Sequence, residues 1–358
     1  MRRICVCADD YGLAPGVSRA IINLAVMGRL SATSVMSLSP FWPEHARWLK
    51  AHRGRLDVGL HFTLTDHAPL GPMPHLAPTG RLPSLRGLLL AALGGRTRSV
   101  AVQAEIRAEC DRQTAAFIQH FGAPPAFIDG HQHIHVLAGV RDVVLALCAR
   151  MPDLRVRDCW EPPGRILRRQ VAVGKALVIS ALAWPLHNRL RENGRAINQG
   201  FSGVYDFATP APFPRLLDAL LPWLPEGGLL MVHPGLVDAV LPTLDPLCAP
   251  RQVEYDFLRS EAFSHSLHRH RLRPTRLAAL FPRSAPGDDA RDPDDEVDAE
   301  TDAQHAARVT LRAGGMQTGL AGLAALDLLT SAPDTRADDP DADNGGGDGG
   351  GGDGGGGE

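Results

Sequence analysis

The sequence predicts an α/β fold, a (β/α) barrel, and three observations carry that prediction. Short β-rich apolar runs alternate with amphipathic helical ones along the first 280 residues or so. Several of the β-rich runs end on an acid or a histidine: Asp9 and Asp10, His61, Asp129 with His131, Asp158, and His233. No G-x-G-x-x-G and no G-x-x-x-x-G-K-[ST] follows a strand. An open doubly wound sheet collects its site at one switch point, usually beside such a glycine fingerprint. One polar residue from each of several strand ends is what a barrel delivers to its rim.

The elements follow in order. "ICVCADD" (4–10) is a strand ending in acids, and "GVSRAIINLAVMGRL" (16–30) places Val17, Ile21, Ile22, Leu24 and Met27 at helical spacing. "ATSVMSL" (32–38) and "LDVGLHF" (56–62) are the next strands. Residues 102–121 form a helix with Val102, Ile106, Cys110, Phe117 and Phe121 on one stripe, stopped by Gly122. "AFIDGHQHIH" (126–135) is a strand with its exit loop, and "GVRDVVLALCAR" (139–150) is a helix closed by Pro152. "LRVRD" (154–158), the helix "PRLLDALLPWL" (214–224) and "GLLMVHPG" (228–235) continue the alternation.

One domain over 1–280 is expected, followed by a tail over 281–358 of different character. Residues 283–358 hold 5 Arg against 18 Asp and Glu, a net −13, and finish in "DNGGGDGGGGDGGGGE". Such composition cannot offset the entropy of ordering, so the tail reads as disordered, with a short helix expected around 315–331. The overall charge of −3 therefore hides a body of +10. No dense basic run interleaved with aromatics occurs, so nucleic acid is not an expected partner. The six cysteines (5, 7, 110, 148, 159, 248) form no C-x-x-C pair and read as reduced thiols. The apolar start is too short for a signal peptide, and "ALVISALAWPL" (176–186) falls short of a bilayer span. A soluble cytoplasmic protein without a transmembrane segment is the expectation.

"FIDGHQHIH" (127–135) raises the chemical question. If this stretch is extended, His131, His133 and His135 share one face, and a metal ion is the natural partner of crowded imidazoles. The alternative is a surface histidine cluster without an ion. Three further pieces join it: "ADDYG" (8–12), "GLHF" (59–62) and "VHPG" (232–235). An isolated Asp-Asp pair is most often a cap or turn, and an isolated strand-end histidine is most often structural. Four such ends in one barrel pattern point to a shared site.

These pieces, with "NQGFSGVYDF" (198–207) and "MVHPGLVD" (231–238), resemble the YdjC-like carbohydrate deacetylase family, which includes chitooligosaccharide and hopanoid-biosynthesis-associated deacetylases. The resemblance covers roughly residues 3–275. It implies a distorted (β/α) TIM-like barrel and a metal-dependent hydrolase that removes an N-acetyl group from an amino sugar. It implies Asp10, His61 and His131 as ligands of one divalent ion, with magnesium the leading choice and zinc, manganese and cobalt as alternatives. Asp9 then becomes the general base, and His233 the general acid or an oxyanion partner. Tyr11 stands where the family usually has Phe.

The residue types suit amide hydrolysis, which needs an activated water, oxyanion stabilisation and a proton for the departing amine. His133, Arg157, Asp158, Asn198 and Tyr205 are candidate substrate contacts, Asp129 a candidate hydrogen-bond partner for a ligand imidazole, and His135 as readily a packing residue. The expected partner is an N-acetylated sugar or glycolipid, and a homodimer is compatible with the sequence. The rivals are another metal hydrolase on the same barrel, such as a phosphoesterase, and a non-catalytic metal- or glycan-binding protein.

Overall fold

The computed structural model describes residues 1–207 and 212–281, so the tail and the helix expected at 315–331 lie outside the described residues. Eight strands follow the chain: β1 (Arg2–Tyr11), β2 (Ala32–Val35), β3 (Asp57–Phe62), β4 (Phe127–Gly130), β5 (Arg155–Val156), β6 (Phe201–Ser202), β7 (Leu229–Val232) and β8 (Leu272–Pro274). They form one parallel sheet in the order β5-β4-β3-β2-β1-β7-β6, with β8 paired to the start of β1. Arg2 N donates to Arg271 O and Thr275 N to Ile4 O; two residues further on, Ser31 N donates to Val6 O. Strands β8 and β2 therefore lie end to end along one edge of β1, with β7 on the other.

A parallel sheet must be covered on both faces, and β1 shows the consequence: Ile4, Cys5, Val6, Cys7 and Ala8 are all fully buried. Cys5 and Cys7 act there as small apolar residues, and burial pushes the Cys5 thiol up to about 12. All six cysteines are free thiols. The helix read at 102–121 is Val100–Phe121, and Gly122 stops it in a left-handed cap. The helix read at 16–30 ends earlier, at Val26, and the one read at 214–224 gives way after Leu220 to a 3-10 turn around Pro222. Tyr11 turns its hydroxyl into the core, where it donates to His45 O at 2.7 Å, so a phenol at this position is satisfied away from the cleft. No helix among the described residues is long and apolar enough to cross a membrane.

The curled sheet does not close by continuous pairing. Between β5 and β6 there is only a single parallel bridge, Val156 to Ile197. Side chains complete the seam. Asn198 accepts from Asp158 N at 2.8 Å and donates to Asp158 O at 2.8 Å, standing in for a strand partner, and it also donates to Gly200 O. Asn198 is thereby a closing residue of the barrel, a use the sequence reading assigned instead to sugar contact.

A second tie is the buried Glu161–Arg169 pair at 2.7 Å, from which Arg169 also reaches Ser202 Oγ on β6. Burial is the largest influence on Glu161 and lifts its carboxyl to about 7, against the pull of Arg169 and Arg165. A carboxyl raised in the fold stabilises fully below its unfolded value, and that contribution fades as pH rises through 7. Unfolding free energy is expected to fall by about 1–3 kcal/mol between pH 4.5 and 7.5 from this group alone. Glu161→Gln should flatten that slope in denaturant titrations at both ends of the range; an unchanged slope would mean the carboxyl is ionised throughout.

The stretch 131–135 is the main departure from the sequence reading. It is not extended. After β4 the chain enters a 3-10 turn, His131–Val136, with Gln132 (φ 53) and His133 (φ 61) left-handed. Gly130 makes the tight entry feasible, since a Cβ there would lie 2.8 Å from His135 N. The three histidines consequently go to three different surroundings.

Candidate active site

Consecutive residues on a strand point to opposite faces, so Asp9 and Asp10 should not share a site. They do because β1 breaks its register against β2 between Ala8 and Tyr11, and Asp10 adopts a left-handed backbone (φ 66). Aspartate tolerates that conformation, and the bulge turns both carboxylates into the mouth of the barrel.

Asp10 Oδ1 lies 3.1 Å from His61 Nε2 and 3.0 Å from His131 Nδ1. Its other oxygen accepts from Arg251 at 2.6 Å. Burial opposes ionisation of Asp10, but Arg251, His131 and His61 outweigh it and hold the carboxyl well below the usual range. His61 comes from β3, and its Nδ1 lies 2.6 Å from Asp129 Oδ1 on the neighbouring β4. Asp129 therefore does partner a site imidazole. Burial disfavours charge on His61, yet Asp129, Asp10 and Asp9 carry it up to about 10.

Asp10, His61 and His131 offer one oxygen and two nitrogens within 4.8 Å of one another. The carboxylate of Asp129 accepts a hydrogen bond from the Nδ1–H of His61, so a neutral His61 would turn its Nε2 lone pair toward the anionic Asp10 oxygen. Two acceptors face each other there unless a positive charge lies between them, either a proton or a metal ion. The donor set fits a divalent cation with mixed O/N preference.

Asp9 is held from the opposite direction. Arg157 donates Nη1 to Asp9 Oδ2 at 2.6 Å and Nη2 to Asp9 Oδ1 at 2.5 Å. The same Nη2 lies 2.6 Å from Asp129 Oδ2 and 3.1 Å from Cys7 Sγ. Burial would raise Asp9, but Arg157 above all, with His61 and His233, overrides it and keeps the carboxylate ionised below its usual range. Arg157 is itself fully buried, so the structure replaces the expected substrate contact with an orienting one. Cys7, Asp9 and Asp129 also satisfy the spacing of a metal cluster, but the guanidinium occupies their centre.

His233 follows β7, beside β1 in the sheet, and its Nε2 stands 4.0 Å from Asp9 Oδ2. Burial lowers it to about 4 in spite of Asp10 and Asp9, so the ring is neutral at neutral pH. Its backbone N donates to Glu254 Oε2 at 2.6 Å, while the Tyr205 hydroxyl donates to Glu254 Oε1 at 2.6 Å. Tyr205 reaches the cleft through this bridge as well as along its wall.

The remaining candidates divide. His133 lines the cleft, packing edge-on against Phe201. His135 is buried, its Nε2 3.0 Å from Arg157 O, and does not reach the cleft. Asp158 turns away to His187 at 2.5 Å and to Trp160 N, so it is not brought to the site. The sequence reading missed Arg251 and Glu254, which lie three residues apart on the helix Cys248–Leu258 with their side chains buried. A charged pair on the inward stripe of that helix was the available signal. Lys175 and Phe207 were also missed; both border the cleft, with the ammonium 5.9 Å above the Phe207 ring.

Asp9, Asp10, His61, His131, His133 and His233 line one cavity of about 700 Å³, bounded further out by Asp66, His67, Arg81, Arg86 and Leu247. The volume suits a small oligosaccharide portion, and its floor joins a metal-type donor set, an ionised carboxylate and a neutral imidazole.

Comparison with known proteins gives the family and the fold likeness. A family model described as YdjC-like protein matches residues 3–269. The chain is 31% identical over 256 residues to the chitooligosaccharide deacetylase of Serratia marcescens, covering 71% of this chain and 90% of that protein. It is 28% identical over 271 residues to the protein of the same name from Enterobacter sp. (strain 638), covering 74% and 93%. Among solved structures, a protein from Enterococcus faecalis V583 named for cellobiose-phosphate cleavage superposes with a TM-score of 0.58 at 21% identity, covering 78% of this chain and 98% of that one. This likeness is one of fold.

Proposed function

The chain belongs to the YdjC-like protein family, and on that premise we propose that it is a carbohydrate N-deacetylase acting with one divalent metal ion, magnesium first among the candidates. The observation that carries the proposal is the convergence of Asp10, His61 and His131 on one point, with Asp9 and His233 4.0 Å apart beside it. The ion would be held by those three side chains; bound there, it would acidify water and polarise the acetyl carbonyl.

The chain's own residues supply the rest. Arg251 draws off one oxygen of Asp10, leaving the other for the donor set. Asp9, kept ionised by Arg157, takes a proton from the attacking water. His233 enters neutral and donates its N–H to the oxyanion that develops on the acetyl oxygen. The proton removed by Asp9 then passes to the departing amine as the C–N bond breaks. The acetic acid's own remaining proton goes to the freed amine or to solvent, so acetate and the amino sugar leave in balance. Glu254 fixes the backbone at His233 and thereby the ring's approach.

The direct test is acetate release from N-acetylglucosamine oligomers and an N-acetylglucosaminyl lipid, with and without a chelator. Release that stops on chelation and returns with added divalent ion is expected. Binding of metal and sugar without acetate would place the protein among non-catalytic glycan binders instead.

A further inference from the structure

The rim of the cleft runs onto the helix Leu85–Leu93, whose cap Ser84 and first residues Leu85 and Arg86 line the cavity. Leu88, Leu89 and Ala92 are buried against the body. Arg86, Leu90 and Leu93 recur at i, i+4 and i+7 on the outward face, where Leu90 is 49% and Leu93 59% exposed. Just beyond, Val100 is 88% exposed, more than any other large apolar side chain among the described residues. Between them a short turn, Arg96–Arg98, carries two exposed arginines.

The charge of this region is equally one-sided. From His67 to Ala104 there are four arginines and no aspartate or glutamate. Of the acids that flank it, Asp66 lines the cleft, Glu105 accepts from His75 N and Leu76 N, and Glu109 accepts from Leu70 N and Gln113. Exposed leucines and a valine interspersed along the chain with exposed arginines match the chemistry of an anionic bilayer, apolar chains beneath negative headgroups. Neighbouring exposed apolar side chains bordered by polar ones mark interaction or membrane surfaces, where single exposed leucines do not. Screening confines the relevant field to about 8 Å, so the local arginines, not the chain's net charge, decide the attraction.

We propose that this face, Arg86, Leu90, Leu93, Arg96, Arg98 and Val100, docks on an anionic membrane surface and brings the mouth of the cleft to the headgroup plane. The docking does not depend on the chemistry of the site, and it is measured without turnover.

The test is co-sedimentation of the full chain with phosphatidylcholine vesicles containing about 30% phosphatidylglycerol, against phosphatidylcholine alone. Binding at least about tenfold stronger to the anionic vesicles is expected, and about 0.5 M salt should abolish the difference. Leu90→Asp with Leu93→Asp should lower anionic binding by about tenfold or more while acetate release from a sugar free in solution stays unchanged. Arg96→Ser with Arg98→Ser, which keeps the apolar face, should weaken it by about tenfold. Equal affinity for both vesicles, no binding to either, or full binding by the leucine variant overturns the proposal. So does a dimer in sedimentation velocity that the leucine variant abolishes, because a second copy would then be the occupant.

Discussion

Asp9→Asn is expected to keep the divalent ion and to lose about 10²–10⁴ of turnover, the usual contribution of a positioned base. The reason lies in the separate anchoring of the two acids. Asp10 faces His61 and His131, whereas Asp9 is gripped by Arg157, accepts from Ser34 Oγ at 3.1 Å and has His233 4.0 Å away. A carboxamide at position 9 presents one acceptor and one donor to a guanidinium that offers two donors, so one hydrogen bond is lost. That costs about 1–3 kcal/mol of stability, and Asp129 still neutralises Arg157. Metal content, melting temperature and acetate release measured together separate these effects. If Asp9→Asn loses metal as fully as a ligand variant does, the roles of Asp9 and Asp10 are exchanged.

The second large effect concerns the imidazoles. His61→Ala and His131→Ala are each expected to weaken metal binding by more than the roughly 10–100-fold that follows loss of an outer hydrogen-bond partner. Asp129→Asn supplies that comparison within the same protein, since it touches His61 Nδ1 but lies outside the donor set. The expected order of metal affinity, by calorimetric titration with magnesium and zinc, is wild type, then Asp129→Asn, then the two alanine variants. Turnover should follow the same order at limiting metal and partly recover with excess metal. Wild-type affinity in His61→Ala would remove β3 from the centre and with it the proposed reaction.

Much of this arrangement was readable in the sequence. Parallel strands in a barrel all point the same way, so position marked out Asp9, Asp10, His61, His131 and His233 together with Asp129 and Asp158, and the roles proposed for them came from the family resemblance. What defeated the reading was local. Period-two geometry joined His131, His133 and His135, but Gln132 and His133 turn left-handed, a choice set by packing around Gly130 and the β5 end. The bulge that swings Asp10 into line with Asp9 is equally silent in the residue pattern. Arg157 was visible as a strand-end charge, yet whether it met solvent or two carboxylates depended on the curl of the sheet. Arg251 and Glu254 were hidden for another reason. They sit more than 240 residues after Asp10 on a helix that the sequence reading did not assign, and only the curled sheet brings them back.

Arg157 lies among Cys7, Asp9 and Asp129, a trio otherwise spaced to grip an ion of its own. That berth is taken by a tenant that cannot be dialysed away, because it is tethered to the chain and stays charged at any working pH. On the proposed single-ion reading, the centre would pair this permanent cation with an exchangeable one. Stripping the exchangeable one would silence the protein while Asp9 and Asp129 remain neutralised, so the barrel should outlast its activity. Among the described residues the second donor group is filled by Arg157, which favours the proposed single-ion hydrolysis over the twin-ion chemistry of many phosphoesterases.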